Sequence, residues 1–190
     1  HRLLFLLNDA PFFVTHRLPL AIAAQKAGFE VHVSVPHDEQ AVRTIRGAGI
    51  IHHDVPLRRG ARGFLGELKL LKAYWQLIGA LRPELLHAVT MKPVLYGGLI
   101  ARLRSVPAVV HAITGLGYLF LIEGTLARLQ RTAVMMLYRI ALAHPNLRVI
   151  FQNPDDLNLF TRRRAVRPGS HTIIRGCGVD LKDYAPTPEP

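Results

Sequence analysis

Cysteine occurs once in this chain of 190 residues, at Cys177, which excludes an internal disulfide and fits a reducing compartment. Acidic residues are scarce: 13 Asp and Glu stand against 24 Lys and Arg, a net charge of +11. Such a surface attracts anions, whether phosphorylated ligands, nucleic acid or an acidic membrane face. Long apolar runs are missing too. The stretch from Ala108 to Ile122 is interrupted by His111, Thr114, Gly115 and Gly117 and falls short of the ~20 residues a spanning helix needs. The first apolar run, Leu3 to Leu7, is short and precedes no cleavage pattern, so no signal peptide is expected. No G-x-S-x-G elbow occurs, and no Cys/His spacing matches a zinc site; His52 and His53 alternate across a strand.

What is present is an alternation of apolar strand runs with segments of helical period. This pattern predicts an α/β fold, a doubly wound, mainly parallel sheet of about seven strands with helices on both faces. Strands are expected at Arg2–Asn8, Glu30–Val35, Ile50–Val55, Glu84–Val89, Pro107–Ala112, Leu147–Gln152 and Thr172–Ile174. Helices are expected near His16–Ala27, Glu39–Gly47, Gly63–Ala80, Val94–Leu103, Gly124–Ala143 and Asp155–Thr161. Half the residues are hydrophobic (49%), enough for one core and one domain over 1–185. Pro186, Pro188 and Pro190 then read as the start of an interdomain linker at 186–190.

In such a sheet, ligands sit beyond the carboxyl ends of the strands. Three strand-to-helix junctions carry polar or glycine-bearing residues there. Asn8 to Arg17 (NDAPFFVTHR) follows the first strand, Thr90-Met91-Lys92-Pro93 the fourth, and Thr114-Gly115-Leu116-Gly117-Tyr118 the fifth. Asn8, Phe12, Phe13, His16 and Arg17 are the candidate binding contacts, with the rings as a platform and Arg17 as an anion contact. A hydrophobic staple over the helix start explains the two phenylalanines equally. Gly115 and Gly117 allow close backbone approach, although no dinucleotide fingerprint follows them. Thr114 and His111 are the catalytic candidates, and a buried core histidine remains the other reading of His111. Between residues 57 and 72, Arg58, Arg59, Arg62, Lys69 and Lys72 are interleaved with Phe64, Leu65, Leu68 and Leu71 and opposed by Glu67 alone. Arg58, Arg59, Arg62 and Phe64 are accordingly candidates for docking on an anionic bilayer. Arg162, Arg163, Arg164 and Arg167 form a second basic cluster, read as a solvated or interdomain face.

Several segments together resemble the N-terminal domain of retaining glycosyltransferases of the GT-B fold, family 4. They are Asn8 to Leu18, Gly28 to Val33, His87 to Lys92 (HAVTMK), Thr114 to Tyr118, Phe151-Gln152-Asn153 and Gly176-Cys177-Gly178-Val179-Asp180. The resemblance is strongest to bacterial enzymes that extend sugars on polyprenyl-diphosphate carriers for capsule, O-antigen or glycoprotein assembly. It implies that this chain is the Rossmann-like, acceptor-binding half, and that a C-terminal donor-binding domain outside it carries most of the nucleotide-sugar site. It implies transfer from a nucleotide sugar, UDP-linked, to a lipid-linked glycan acceptor, with Lys92 balancing phosphate charge and no cofactor or metal. The fragment alone is then inactive. The expected place is the cytoplasm, peripherally on the inner face of the cell membrane. Two rival readings stay open: a sugar-nucleotide epimerase of the same architecture, and a basic nucleic-acid-binding α/β module. The latter lacks aromatics interleaved with its basic residues apart from Phe64 and Trp75, so no nucleic acid partner is expected.

Overall fold

In a computed structural model, which describes residues 1–56, 63–115, 124–176 and 178, the fold is a seven-stranded sheet in the order β3-β2-β1-β4-β5-β6-β7. The strands are β1 (Arg2–Leu6), β2 (Glu30–Val35), β3 (Ile51–Asp54), β4 (Leu85–Val89), β5 (Ala108–Ile113), β6 (Leu147–Phe151) and β7 (His171–Ile173). Every pairing is parallel, with Leu6 opposite Ser34 on one side and Ala88 on the other. Parallel strands are buried on both faces, and this is why β1 reads as an unbroken apolar run in sequence.

Each face has its own core. Leu4, Leu6, Leu86, Ala88, Val149 and Phe151 pack beneath α4 (Phe64–Leu81), α5 (Met91–Leu103), α6 (Thr125–Ala141) and α7 (Pro154–Arg162). Leu3, Phe5, Leu7, Val31, Val33 and Val35 pack beneath α1 (Ala10–His16), α2 (Leu18–Lys26) and α3 (Glu39–Gly47).

The strands lie within about two residues of expectation, but the first helix does not. Helix begins at Ala10, not His16, because Asp9 caps it: its carboxylate accepts from the Phe12 N–H at 2.7 Å, and Pro11 occupies the first turn, where no N–H is needed. The helix then breaks at Arg17 (φ −127°, ψ −15°), and α2 starts with Pro19 in its own first turn. Helix α5 likewise starts at Met91, three residues before the expected Val94.

Two glycines let α5 lie flush between the sheet and α6. A Cβ on Gly98 would stand 2.7 Å from the Ala141 carbonyl oxygen and 2.8 Å from His111 Nε2. Helix propensity favours alanine over glycine by about 1 kcal/mol. Backbone cannot yield as a side-chain tip can, so overpacking outweighs that gain, and Gly98→Ala is expected to lose about 2 kcal/mol. Gly66 in α4 faces open space, and Gly66→Ala is expected to gain up to about 1 kcal/mol. Urea midpoints of the two variants, moving in opposite directions, check this packing.

Candidate functional site

The strand order reverses between β1 and β4: β2 and β3 extend the sheet on one side, β5 to β7 on the other. At such a switch point the following segments diverge to opposite faces and leave a crevice above the carboxyl ends. Asn8 and Asp9 leave β1 there and Thr90 leaves β4, while Thr114 and Gly115 leave the neighbouring β5. Asn8, Thr90 and Thr114 are all half-buried, and Gly115 is exposed with φ 132°, a conformation that needs glycine.

Thr90 is the one residue between β4 and α5, so the chain must turn there in a single step. It does so at φ 72°, ψ 164°, sparsely populated for a β-branched residue and costing on the order of 1–3 kcal/mol. Its hydroxyl oxygen is buried with no hydrogen-bond partner among the described residues. The result aims the N-terminus of α5, with its unbonded N–H groups and partial positive charge, at the crevice. Sequence reasoning gave Thr90 no role; a threonine in a one-residue strand-to-helix link was the available signal.

Lys92, in the first turn of α5, is tied to α4. Its Nζ lies 2.6 Å from Glu67 Oε1, and the Tyr96 hydroxyl donates to Glu67 Oε2 at 2.7 Å. Burial pushes the Glu67 carboxyl up, but the hydrogen bonds from Lys92 and Tyr96 and the Lys92 charge outweigh it and hold it below its ordinary range. The Lys92 side chain stays 37% exposed, and its ammonium has three donors of which Glu67 takes one. A lysine read from sequence as a lone phosphate counter-charge is thus half of an ion pair at the rim.

The remaining candidates separate. Phe12 is half-buried, with its ring 4.5 Å from that of exposed His16. Phe13 is fully buried in the core, edge-on to Phe5 at 5.7 Å, and offers no ring to a ligand. Arg17 is the half-buried residue between α1 and α2, and it acts electrostatically on His87 in the middle of β4. Among the described residues its Nε is buried without a partner on the α1–α3 face, whereas Lys92 is paired with Glu67 of α4 on the other, so the two do not form one anion site. His111 is buried in mid-strand against Gly98, with neither ring nitrogen hydrogen-bonded among the described residues, and burial drives its pKa down to about 3. A neutral histidine enclosed by the core reaches no substrate. Arg58, Arg59, Arg62 and Gly117 lie outside the described residues, and Phe64 opens α4. Among the described residues, no group of three or more His, Cys, Asp or Glu side chains is placed to hold a metal ion, and no helix is long and apolar enough to cross a membrane.

The chain is similar to known proteins in sequence and in fold. The chain is 24% identical over 188 residues to the N,N'-diacetylbacillosaminyl-diphospho-undecaprenol alpha-1,3-N-acetylgalactosaminyltransferase of Campylobacter jejuni, covering 97% of this chain and 48% of that protein. It is 28% identical over 123 residues to the UDP-Gal:alpha-D-GlcNAc-diphosphoundecaprenol alpha-1,3-galactosyltransferase of Escherichia coli, covering 63% of this chain and 30% of that one. The chain thus spans half or less of the curated relatives it matches. Among solved structures, it shares its fold with Anabaena Alr3699/HepE in complex with UDP-glucose, at TM-score 0.63 and 15% identity over 98% of this chain and 46% of that one. Both curated relatives are named as transferases, and a putative UDP-N-acetylglucosamine 2-epimerase of Listeria monocytogenes shares the fold at TM-score 0.61 and 13% identity, over 90% of this chain and 44% of that one. Residues 2–153, from β1 to the cap of α7, match the glycosyl transferase 4-like family, and the chain belongs to that family.

Proposed function

We propose that this chain is the acceptor-binding half of a glycosyltransferase that moves a sugar from a nucleotide sugar, UDP-linked, to a polyprenyl-diphosphate-linked glycan in cell-surface polysaccharide or glycoprotein assembly. The observation that carries the reading is the match of nearly the whole chain to about half of an enzyme named for a diphospho-undecaprenol substrate. The crevice suits that role. The α5 N-terminus and Lys92 favour phosphate, Asn8 and Thr114 offer hydrogen bonds to sugar hydroxyls, the Phe12 and His16 rings form a small apolar ledge, and Gly115 leaves the wall low. A second half outside this chain supplies the donor site, and transfer proceeds without a metal, the leaving diphosphate being stabilised by basic groups and helix dipoles. On this reading the protein works peripherally on the inner, cytoplasmic face of the cell membrane.

Binding and transfer separate on this reading. By calorimetry the chain is expected to bind a sugar diphosphate with a short polyprenyl tail more tightly than UDP-sugar, and to transfer no labelled sugar. Lys92→Ala is expected to weaken acceptor binding about tenfold, or about 1.4 kcal/mol. Preference for UDP-sugar, or transfer by the chain alone, overturns the assignment.

A further inference from the structure

We propose that the outer face of α6 is a docking surface for an anionic lipid bilayer, a partner assignment that rests on the lipid-linked acceptor proposed above. Helix α6 has no Asp or Glu in its 17 residues and is apolar on two sides. Ala127, Met135, Tyr138 and Ala141 face inward and are buried. On the opposite side Leu126 (69% exposed), Leu129 (68%), Met136 (58%), Leu137 (49%) and Ile140 (47%) meet no core. At 3.6 residues per turn these five occupy an arc of roughly 100°, the width of stripe that a helix ordinarily turns inward. An apolar stripe of that size in water marks an interaction site.

Charge selects the occupant. Beside the stripe, Arg128 and Thr132 of α6 and Arg163 of α7 open a cleft of about 430 Å³ that runs inward to Arg131, Met135 and Leu159, and among the described residues no carboxylate lines it. Arg139, exposed on the same margin, donates from Nε to the Arg163 carbonyl and holds the two helices together at its end. Apolar side chains flanked by arginines match the acyl–phosphate boundary of a bilayer, with the stripe among the upper acyl chains and the cleft at the level of the phosphates. A second copy of the chain fits poorly: a two-fold contact through α6 sets these arginines against their own equivalents. On α4, by contrast, the exposed indole of Trp75 is already capped by the Arg104 guanidinium, 3.8 Å from the ring centroid. The α6 stripe carries no such cover among the described residues.

Co-sedimentation of the chain with vesicles tests the assignment. Wild-type protein is expected to bind vesicles of mixed phosphatidylglycerol and phosphatidylcholine, and not vesicles of phosphatidylcholine alone. Leu129→Glu with Ile140→Glu is expected to reduce binding at least tenfold. Arg128→Ala with Arg163→Ala is expected to reduce it severalfold and to flatten its salt dependence. All four side chains lie outside the core, and unchanged thermal melting shows that the variants fold. Binding that survives the glutamates, equal binding to neutral vesicles, or a dimer by light scattering that the glutamates dissolve overturns the proposal. A water-soluble sugar diphosphate, titrated in parallel, separates this claim from the functional one. If it binds wild type and the α6 variants alike while wild type ignores anionic vesicles, the docking surface fails and the acceptor crevice stands; if it binds neither while vesicle binding follows the α6 variants, the reverse holds.

Discussion

Lowering the pH from 7 to 5 is expected to reduce the unfolding free energy by about 4 kcal/mol, because two buried histidines refuse protons that the unfolded chain accepts. His87 lies in β4, 4% exposed and edge-on to Phe5; burial first, and the Arg17 charge second, bring its pKa down to about 4. His111 lies in β5 on the opposite face, wholly buried, with its pKa lowered to about 3 by burial and then by His87 and His144. An unfolded histidine titrates near 6.5, so above that pH both states are neutral and nothing is lost. Below it the unfolded state binds two extra protons, and stability falls with pH until it passes the folded pKa values, near 4 for His87 and near 3 for His111. At pH 5, about 1.5 units below the unfolded value, each site costs about 2 kcal/mol at 1.36 kcal/mol per unit. Partly buried His52 and His53, both lowered with burial as the largest cause, add in the same direction. Urea unfolding at the two pH values measures the loss, and His111→Leu is expected to halve it. Equal midpoints at pH 7 and 5 contradict the burial of these neutral rings.

Phe13→Ala is expected to cost about 3–5 kcal/mol, the range for a fully buried aromatic residue, part of it the edge-to-face pair with Phe5. Its neighbour behaves differently. Phe12 is half-buried beside exposed His16, and Phe12→Ala is expected to cost about 1 kcal/mol or less while weakening ligand binding. Thermal unfolding and acceptor titration on the two variants give opposite rankings if Phe13 is core and Phe12 is crevice. A Phe13→Ala protein of near wild-type stability with lost binding contradicts the division.

How much of this was legible in sequence depends on how local each feature is. A strand such as Leu3 to Leu7 announces itself, because burial on both faces of a parallel sheet favours apolar residues at every position, and in Val31 to Val35 the valines alternate with buried His32 and Ser34. That the polar loops share the carboxyl edge of the sheet followed from the alternation of elements, whereas the switch point between β1 and β4 depends on strand order, which pairing across the sheet decides. The start of α1 was hidden by reading Asn8 to Thr15 as loop, although Asp9 followed by Pro11 is a cap and first-turn signal. Phe12 and Phe13 are adjacent in sequence yet about 100° apart around a helix, so once that helix is recognised they cannot both line one pocket. The Glu67–Lys92–Tyr96 cluster joins α4 to α5 across 25 residues and no local pattern encodes it. The exposed face of α6 was likewise invisible, since period alone does not tell which of two apolar stripes meets the sheet.

The crevice itself is tested most directly by following backbone amide resonances of the isotope-labelled chain while a polyprenyl-diphosphate-linked sugar with a short tail is added. The account predicts shifts concentrated at the carboxyl ends of β1, β4 and β5, in Asn8 to Phe12, Thr90 to Lys92 and Thr114 to Gly115, with UDP-sugar leaving them unmoved. Shifts confined to the opposite edge of the sheet, or the same residues responding to UDP-sugar instead, contradict it.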